Sequence, residues 1–103
     1  MEKIVEELKG LFIRNNVPVF GIEKASSLET APPGHRPSDT LQAAERVLCM
    51  GIPFPKGIFQ CPERSHQNYW RAANIYYRNL DAILMQAARI IEETGAVAVP
   101  VFG

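Results

Sequence analysis

Residues 46–55 read RVLCMGIPFP, and this stretch decides the fold of the chain. The residues at positions 47–50 are apolar without interruption, which is typical of a β-strand that is covered on both faces. Pro53 and Pro55 end the strand, because proline has no backbone N–H to donate to a sheet. The sequence therefore predicts a buried strand over 46–52, with Cys49 in the core.

Two amphipathic helices are predicted on either side of this strand. Between residues 68 and 94 apolar side chains recur at three- and four-residue steps, and Gly95 follows as a helix-ending glycine. Residues 2–15 show the same spacing, and Asn15-Asn16 is a plausible end for this first helix. The apolar face of the first helix comprises Ile4, Val5, Leu8, Leu11 and Phe12.

Shorter elements fill the rest of the chain. Apolar residues predict a strand from Val17 to Ile22 and a last strand from Ala96 to Phe102. Asp39 and Gln42 have the spacing of a capping box, which favours a short helix over 39–45. The segments 23–37 and 53–67 are rich in proline and glycine, so we expect two long loops there, and long loops tend to carry function.

This order of elements predicts one domain over residues 1–103. We assign it to the α/β class, with α+β as the alternative. We expect a small mixed sheet of about three strands, covered by the N-terminal helix and the long helix. If the last two strands are parallel neighbours, the long helix connects them in a right-handed crossover.

The composition of the chain argues against several classes of function. The chain has 103 residues with 11 Lys+Arg against 11 Asp+Glu, and a dedicated nucleic-acid binder usually has a basic surplus. We therefore expect no direct nucleic-acid binding by this chain alone. No apolar run reaches the length of a membrane span and the N-terminus does not resemble a signal peptide, so we expect a cytoplasmic protein. The chain has 2 cysteines, which are too few for a disulfide framework.

The strongest candidate site is the run Gly34-His35-Arg36-Pro37. It places an imidazole and a guanidinium in a loop stiffened by prolines, where they could bind a carboxylate or phosphate. The alternative is an ordinary turn whose arginine pairs with a surface carboxylate. On the long helix, Trp70 and Tyr77 lie off the apolar stripe and could stack on a flat ligand, whereas Tyr69 and Tyr76 lie on it.

Other chemistry finds little support. Cys61 and His66 could form a thiolate and its base, but with His35 they lack the paired spacing of a metal site, so we predict no metal. There is no glycine-rich phosphate loop and no Ser-His-Asp set that sequence can support, so we assign no catalytic residue. A free-standing thiol enzyme ranks last among the hypotheses.

Two runs of sequence resemble a known family. These are APPGHRPSD at residues 31–39 and AAERVLCMGIPFP at residues 43–55. Together they are similar to the N-terminal domain of epoxyqueuosine reductases, in which an Arg-Pro turn and a short helix lead into strands of the type ARSVIVLGLPYP. The strand VFGI at residues 19–22 resembles the opening LVGIA segment of that family.

The resemblance implies a cobalamin-dependent oxidoreductase, related to tRNA-modification enzymes and reductive dehalogenases, with a nitroreductase-like architecture. In that family the N-terminal domain helps to hold a corrinoid, and a downstream ferredoxin-like domain carries iron–sulfur clusters. We therefore expect a corrinoid against Gly34, His35 and Arg36 and against Trp70 and Tyr77. We expect no iron–sulfur cluster in this chain, since cluster cysteines would lie beyond residue 103.

The chain departs from the family pattern at two places. Residues 101–103 read Val-Phe-Gly, where the family continues into a catalytic aspartate. Tyr76-Tyr77 stands where the family has a Tyr-His pair. These departures favour a divergent relative that is catalytically incomplete alone.

Two further expectations follow from the apolar residues. A non-catalytic assembly or partner-docking module is the alternative to corrinoid binding. Because the last strand and the residues Ile75, Ala82 and Met85 leave apolar surface uncovered, we expect a twofold homodimer, formed by strand-edge pairing or by packing of the long helices.

Overall fold

The structure is a computed structural model that describes residues 2–102. It contains three α-helices and two strands within that range, with one 3₁₀ turn after each strand. In chain order these are α1 (Glu2–Arg14), β1 (Val19–Lys24), a first 3₁₀ turn (Ala25–Leu28), α2 (Pro37–Thr40), β2 (Arg46–Gly51), a second 3₁₀ turn (Lys56–Gln60) and α3 (Ser65–Glu92).

The sheet is smaller than predicted. Strands β1 and β2 pair antiparallel, in a register that runs from Val19 opposite Gly51 to Lys24 opposite Arg46. The prediction of a third strand over residues 96–102 is wrong, because this segment has no ladder partner. Within this segment the Ala98 N–H donates instead to a side chain, Glu92 Oε2, at 3.2 Å. The fold is a mixture of helix and antiparallel sheet, which is the α+β alternative.

The core lies where α1 crosses α3. Phe12 is fully buried, and its ring centroid lies 4.9 Å from that of Phe20 on β1. Leu8 and Leu11 complete the α1 side of this cluster, and Ile83 and Ala87 supply the α3 side. The predicted apolar face of α1 is therefore the face that packs.

The first helix ends at the predicted place. Asn16 adopts a left-handed φ of 56°, which breaks the helical hydrogen-bond pattern. The Val17 N–H then donates to the Phe12 carbonyl at 2.9 Å, and Asn15 Nδ2 donates to the Leu11 carbonyl at 2.9 Å. Val17, which is buried, follows this turn, and β1 begins at Val19, two residues later than predicted.

The long helix is shifted slightly toward the N-terminus relative to the prediction. It begins at Ser65 and ends at Glu92. Gly95 has a φ of 95°, so the predicted helix-ending glycine is confirmed. With 28 residues, α3 is more than twice as long as α1, so part of its length has no helix against it.

Strand β2 is covered on one face only, which corrects the prediction of a strand buried on both. Leu48 and Met50 pack on the core together with Phe20 of β1. Residues of α1 and α3 belong to the same cluster, so both helices cover the same face of the sheet. Cys49 points to the opposite face and is exposed, contrary to its predicted place in the core.

The chain is flat and extended. Its dimensions are 49 × 34 × 18 Å, and its radius of gyration is 15.8 Å, against about 13 Å for a compact domain of this length. Its accessible surface is 7764 Å², whereas scaling from mass gives about 5,800 Å² for a compact monomer. The chain therefore exposes roughly 2,000 Å² more than a self-contained domain of its mass.

Replacing Phe12 with Ala should lower the free energy of unfolding by about 3–5 kcal/mol, because it leaves a cavity at the centre of the core. Its neighbour Ile13 is 71% exposed, so Ile13→Ala should change stability by less than about 0.5 kcal/mol. Urea denaturation followed by circular dichroism would compare them. Equal losses from both substitutions would contradict the packing described here.

Candidate functional site

The loop before α2 is held by one carboxylate. Asp39 Oδ2 accepts hydrogen bonds from the Gly34 N–H at 2.8 Å and from the Arg36 N–H at 3.0 Å. Gly34 has a φ of 89°, a conformation that side chains larger than hydrogen rarely adopt. The His35 N–H donates to the Pro32 carbonyl at 3.0 Å and completes the turn. The run Gly34-His35-Arg36-Pro37 is therefore a hydrogen-bonded turn.

The short helix differs from its prediction. It covers Pro37–Thr40 rather than 39–45, and Leu41 already has an extended backbone. Asp39 does take part in a capping interaction, but it reaches back to the Arg36 N–H, with Arg36 as the N-cap residue. The predicted pairing of Asp39 with Gln42 is wrong, because Gln42 lies beyond the end of the helix.

The electrostatics of the turn favour an ionised Asp39. The hydrogen bond from the Arg36 N–H holds the pKa of this carboxyl below its usual value. The Gly34 N–H and the positive charges of Arg36 and His35 act in the same direction, and they outweigh the opposing effect of desolvation. The turn therefore carries its own negative charge beside the Arg36 guanidinium and the His35 ring.

The two candidate cations of the turn have different surroundings. Arg36 is half-buried and donates through Nε to the Ala31 carbonyl at 3.2 Å. Its two terminal nitrogens form no hydrogen bond with the described residues. His35 is exposed. A ligand could therefore approach the His35 ring and the outer edge of the Arg36 guanidinium.

The aromatic residues of α3 differ in exposure, and Tyr69 departs from its predicted place on the apolar stripe. Trp70 is 63% exposed and Tyr77 is 48% exposed. They are seven residues apart in one helix and so share a face. Tyr76 is half-buried, whereas Tyr69 remains 39% exposed despite its place on the predicted apolar stripe.

A cluster of aromatic rings at the start of α3 was not predicted from the sequence. Phe54 lies at its centre, with ring centroids 5.1 Å from Tyr69 and 5.5 Å from Tyr76. The ring centroid of Phe59, on the second 3₁₀ turn, lies 6.1 Å from those of both Phe54 and Tyr69. Two phenylalanines in a loop rich in proline and glycine were the available signal. The cluster attaches this loop to α3.

The predicted corrinoid site has two parts, the turn at residues 34–37 and the helix face with Trp70 and Tyr77. These two parts pack on different elements. Helix α2, which follows the turn at residues 34–37, packs mainly on the first 3₁₀ turn. Helix α3, which carries Trp70 and Tyr77, packs mainly on α1 and the second 3₁₀ turn. A ligand that contacts both parts would therefore lie on the surface and span separate elements.

Cys61 and His66 are both exposed. Between residues 2 and 102 the structure shows no group of three or more His, Cys, Asp or Glu placed to hold a metal ion. Residues 61–64 form a turn, in which the Arg64 N–H donates to the Cys61 carbonyl at 3.2 Å. These two residues give no further support for a thiol enzyme.

One depression on the surface was not predicted from the sequence. It has a volume of about 260 Å³ and lies beside the core, between the end of α1 and the middle of α3. Its lining combines three side-chain amides with apolar residues, namely Asn15, Asn79 and Gln86 with Ile52, Ala82 and Ile83. It is smaller than the roughly 300–1,000 Å³ of sites for drug-sized ligands, and a corrinoid would not fit inside it.

Comparison with known proteins gives no assignment. No protein-family model matches the chain, and neither the curated proteins nor the solved structures contain a significant match. Within the described part of the chain, no helix is long and apolar enough to cross a membrane.

Asp39→Asn should loosen the turn, because a neutral amide is a weaker acceptor for the two N–H groups than a carboxylate. Amide exchange at Gly34 and Arg36, measured by NMR, should become faster. Ser38→Ala is the matched control, since the Ser38 hydroxyl bonds Glu29 at 2.9 Å and not the turn.

The same bonds predict an acid-sensitive turn. Because the pKa of Asp39 is depressed in the folded chain, the contribution of its hydrogen bonds is present above the ordinary pKa of an aspartate. That contribution is lost as pH falls through the depressed value. Protection of the Gly34 and Arg36 amides should fall over that acidic range, and pH-independent protection would contradict the assignment.

Proposed function

We propose that this chain is the corrinoid-binding portion of an iron–sulfur oxidoreductase related to epoxyqueuosine reductase, and that it is not catalytically complete alone. The observation that carries the proposal is the ordered turn at residues 34–37, where the resemblance to that family is densest. In this turn Asp39 fixes the backbone, while His35 is exposed and the terminal nitrogens of Arg36 are unbonded.

The chemistry of these residues suits an anionic or amide-rich ligand. The terminal nitrogens of Arg36 can donate two parallel hydrogen bonds to a phosphate or a carbonyl oxygen. The exposed rings of Trp70 and Tyr77 offer flat apolar area to a macrocycle. A bound corrinoid would supply the redox chemistry, and these residues would hold and orient it.

The shape of the chain supports the proposal that it is incomplete alone. A surface excess of roughly 2,000 Å² is larger than the about 800 Å² that one partner contributes to a standard interface. Apolar residues make up part of this surface, and Val97, Val99, Val101 and Phe102 are all at least 46% exposed. We therefore propose that further protein, such as a downstream ferredoxin-like domain, packs on this chain and completes the site. A cytoplasmic setting and a nitroreductase-like architecture belong to the same proposal.

A second candidate function is a non-catalytic assembly or docking module. The observation that favours it is the separation of the two parts of the predicted site, which pack on different elements. On this alternative the exposed apolar residues bind a partner protein and no corrinoid is involved.

Titration with hydroxocobalamin, followed by absorbance and calorimetry, would test corrinoid binding. If the parent chain binds, Arg36→Ala should weaken binding about 5- to 150-fold, which corresponds to the about 1–3 kcal/mol of a charge-assisted hydrogen bond. Arg46→Ala is the matched control, because Arg46 also donates to a backbone carbonyl, that of Glu45 at 3.1 Å, but lies on β2.

The helix face is tested in the same titration. Trp70→Ala should weaken binding, whereas Ile75→Ala, which removes another exposed apolar side chain of α3, should not. No binding by the parent chain would remove the corrinoid proposal for this chain alone and favour the docking module. Binding that is indifferent to both Arg36 and Trp70 would remove these residues from the site.

A further inference from the structure

The first half of α3 carries positive charge without an acidic residue. Residues 64–80 contain three arginines, Arg64, Arg71 and Arg78, and no Asp or Glu. Of the 11 Lys+Arg in the chain, the other 8 are therefore set against all 11 Asp+Glu. The formal net charge of +0 thus combines a basic stretch with an acidic remainder, and such an asymmetry points to the charge of a partner.

The three arginines form a row along one side of the helix. They are seven residues apart in sequence, so they share a face and follow each other at about 10.5 Å along the axis. Arg64 is the N-cap residue, and its carbonyl accepts from the Asn68 N–H at 2.9 Å, so it continues the path of the helix. All three are exposed. We call Arg64, Arg71 and Arg78 the arginine row.

The arginine row faces away from the packed side of α3. Tyr69 and Tyr76 contact Phe54, and each of these tyrosines precedes an arginine of the row by two residues. Two residues correspond to a rotation of about 200° around the helix, so the row lies on the far side from these rings. Among the described residues, no side chain of the row has a partner in an ion pair or a hydrogen bond.

A row of exposed, unpaired guanidinium groups suits a partner with several negative charges. Each group can donate two parallel hydrogen bonds to a carboxylate or a phosphate. Two features of α3 favour carboxylates on a protein: the helix contains no lysine, and Trp70 and Tyr77 are exposed beside the row. Protein interfaces are enriched in Arg, Trp and Tyr and depleted in Lys. The chain as a whole also lacks the basic surplus of a nucleic-acid binder.

The interval between the arginines indicates the form of the partner. On an α-helix, acidic side chains seven residues apart repeat at the same distance of about 10.5 Å, so three of them can pair with the row in register. A second copy of this chain does not present that pattern. The acidic residues of α1 and α3 stand at positions 2, 6, 7, 81 and 92, and no two on one helix are seven apart.

We infer that the arginine row docks an acidic helix of a different protein, on which carboxylates repeat every seven residues. Each exposed ion pair contributes little by itself, so the match of three pairs in register provides the selectivity. The row is separate from the turn at residues 34–37 and from the rings of Trp70 and Tyr77. The inference therefore does not rest on corrinoid binding, and either proposal can fail without the other.

Titration with synthetic helical peptides would test the arginine row. A helix of Ala and Gln with three Glu residues seven positions apart should bind and change the fluorescence of Trp70, the only tryptophan of the chain. A peptide of the same composition with its Glu residues five positions apart presents them on different faces. It should bind about fivefold more weakly or worse. Equal binding of the two peptides, or binding of neither, would overturn the inference.

A double substitution tests the row directly. Arg71→Gln with Arg78→Gln should weaken binding of the seven-spaced peptide about fivefold or more, because glutamine keeps the helix propensity of arginine and removes the charge. Arg14→Gln with Lys24→Gln is the matched control. It removes the same charge from exposed positions on α1 and β1, and it should bind like the parent. Equal losses in the two double variants would show that only the net charge matters and would overturn the row.

Two other polyanions complete the test. At about 0.15 M salt, a single-stranded RNA oligonucleotide and phosphatidylserine vesicles should each bind the chain more weakly than the seven-spaced peptide. Tighter binding of either one, abolished by the double substitution at Arg71 and Arg78, would overturn the assignment of the row to a protein partner.

Discussion

The packing of α1 across α3 around Phe12 is the contact on which the rest of the structure depends. Phe12 is fully buried, and its ring touches Phe20, so one side chain connects the first helix to the sheet. Ile83 and Ala87 bring α3 to the same point. An isolated two-stranded sheet is marginal in water, and here β1 and β2 are stabilised because they pack on these helices. The loops and the aromatic cluster are connected to these packed helices and strands.

The same packing leaves the sheet covered on one side only. Both helices contact the face that carries Phe20, Leu48 and Met50, so nothing in the described chain covers the face of Gly21 and Cys49. This arrangement contributes to the large accessible surface of the chain. Large apolar side chains such as Val19, Trp70 and Val101 therefore remain exposed.

The sequence predicted the local features well and the coverage of surfaces poorly. Helical periodicity and the ends at Asn16 and Gly95 are local signals, because they depend on backbone conformation within a few residues. The apolar run at 47–50 correctly indicated a strand, but it cannot show which molecule covers each face. Cys49 was assigned to the core for that reason. A core strand and an interface strand have the same composition.

The remaining differences also come from contacts distant in sequence. Residues 96–102 form an apolar run of the kind found in buried strands, yet a strand exists only where a partner offers a free edge. Phe54 was assigned to a loop, and its packing on Tyr69 and Tyr76 depends on how that loop folds back on α3. The candidate turn was predictable because Gly34, Arg36 and Asp39 interact within five residues of each other.

Local and distant contacts hold different parts of the chain in place. The turn at residues 34–37 is held by the hydrogen bonds that Asp39 accepts from Gly34 and Arg36. The sheet, by contrast, is held by the packing of Phe20, Leu48 and Met50 against the helices. The turn therefore depends on local hydrogen bonds, whereas the sheet depends on contacts that are distant in sequence.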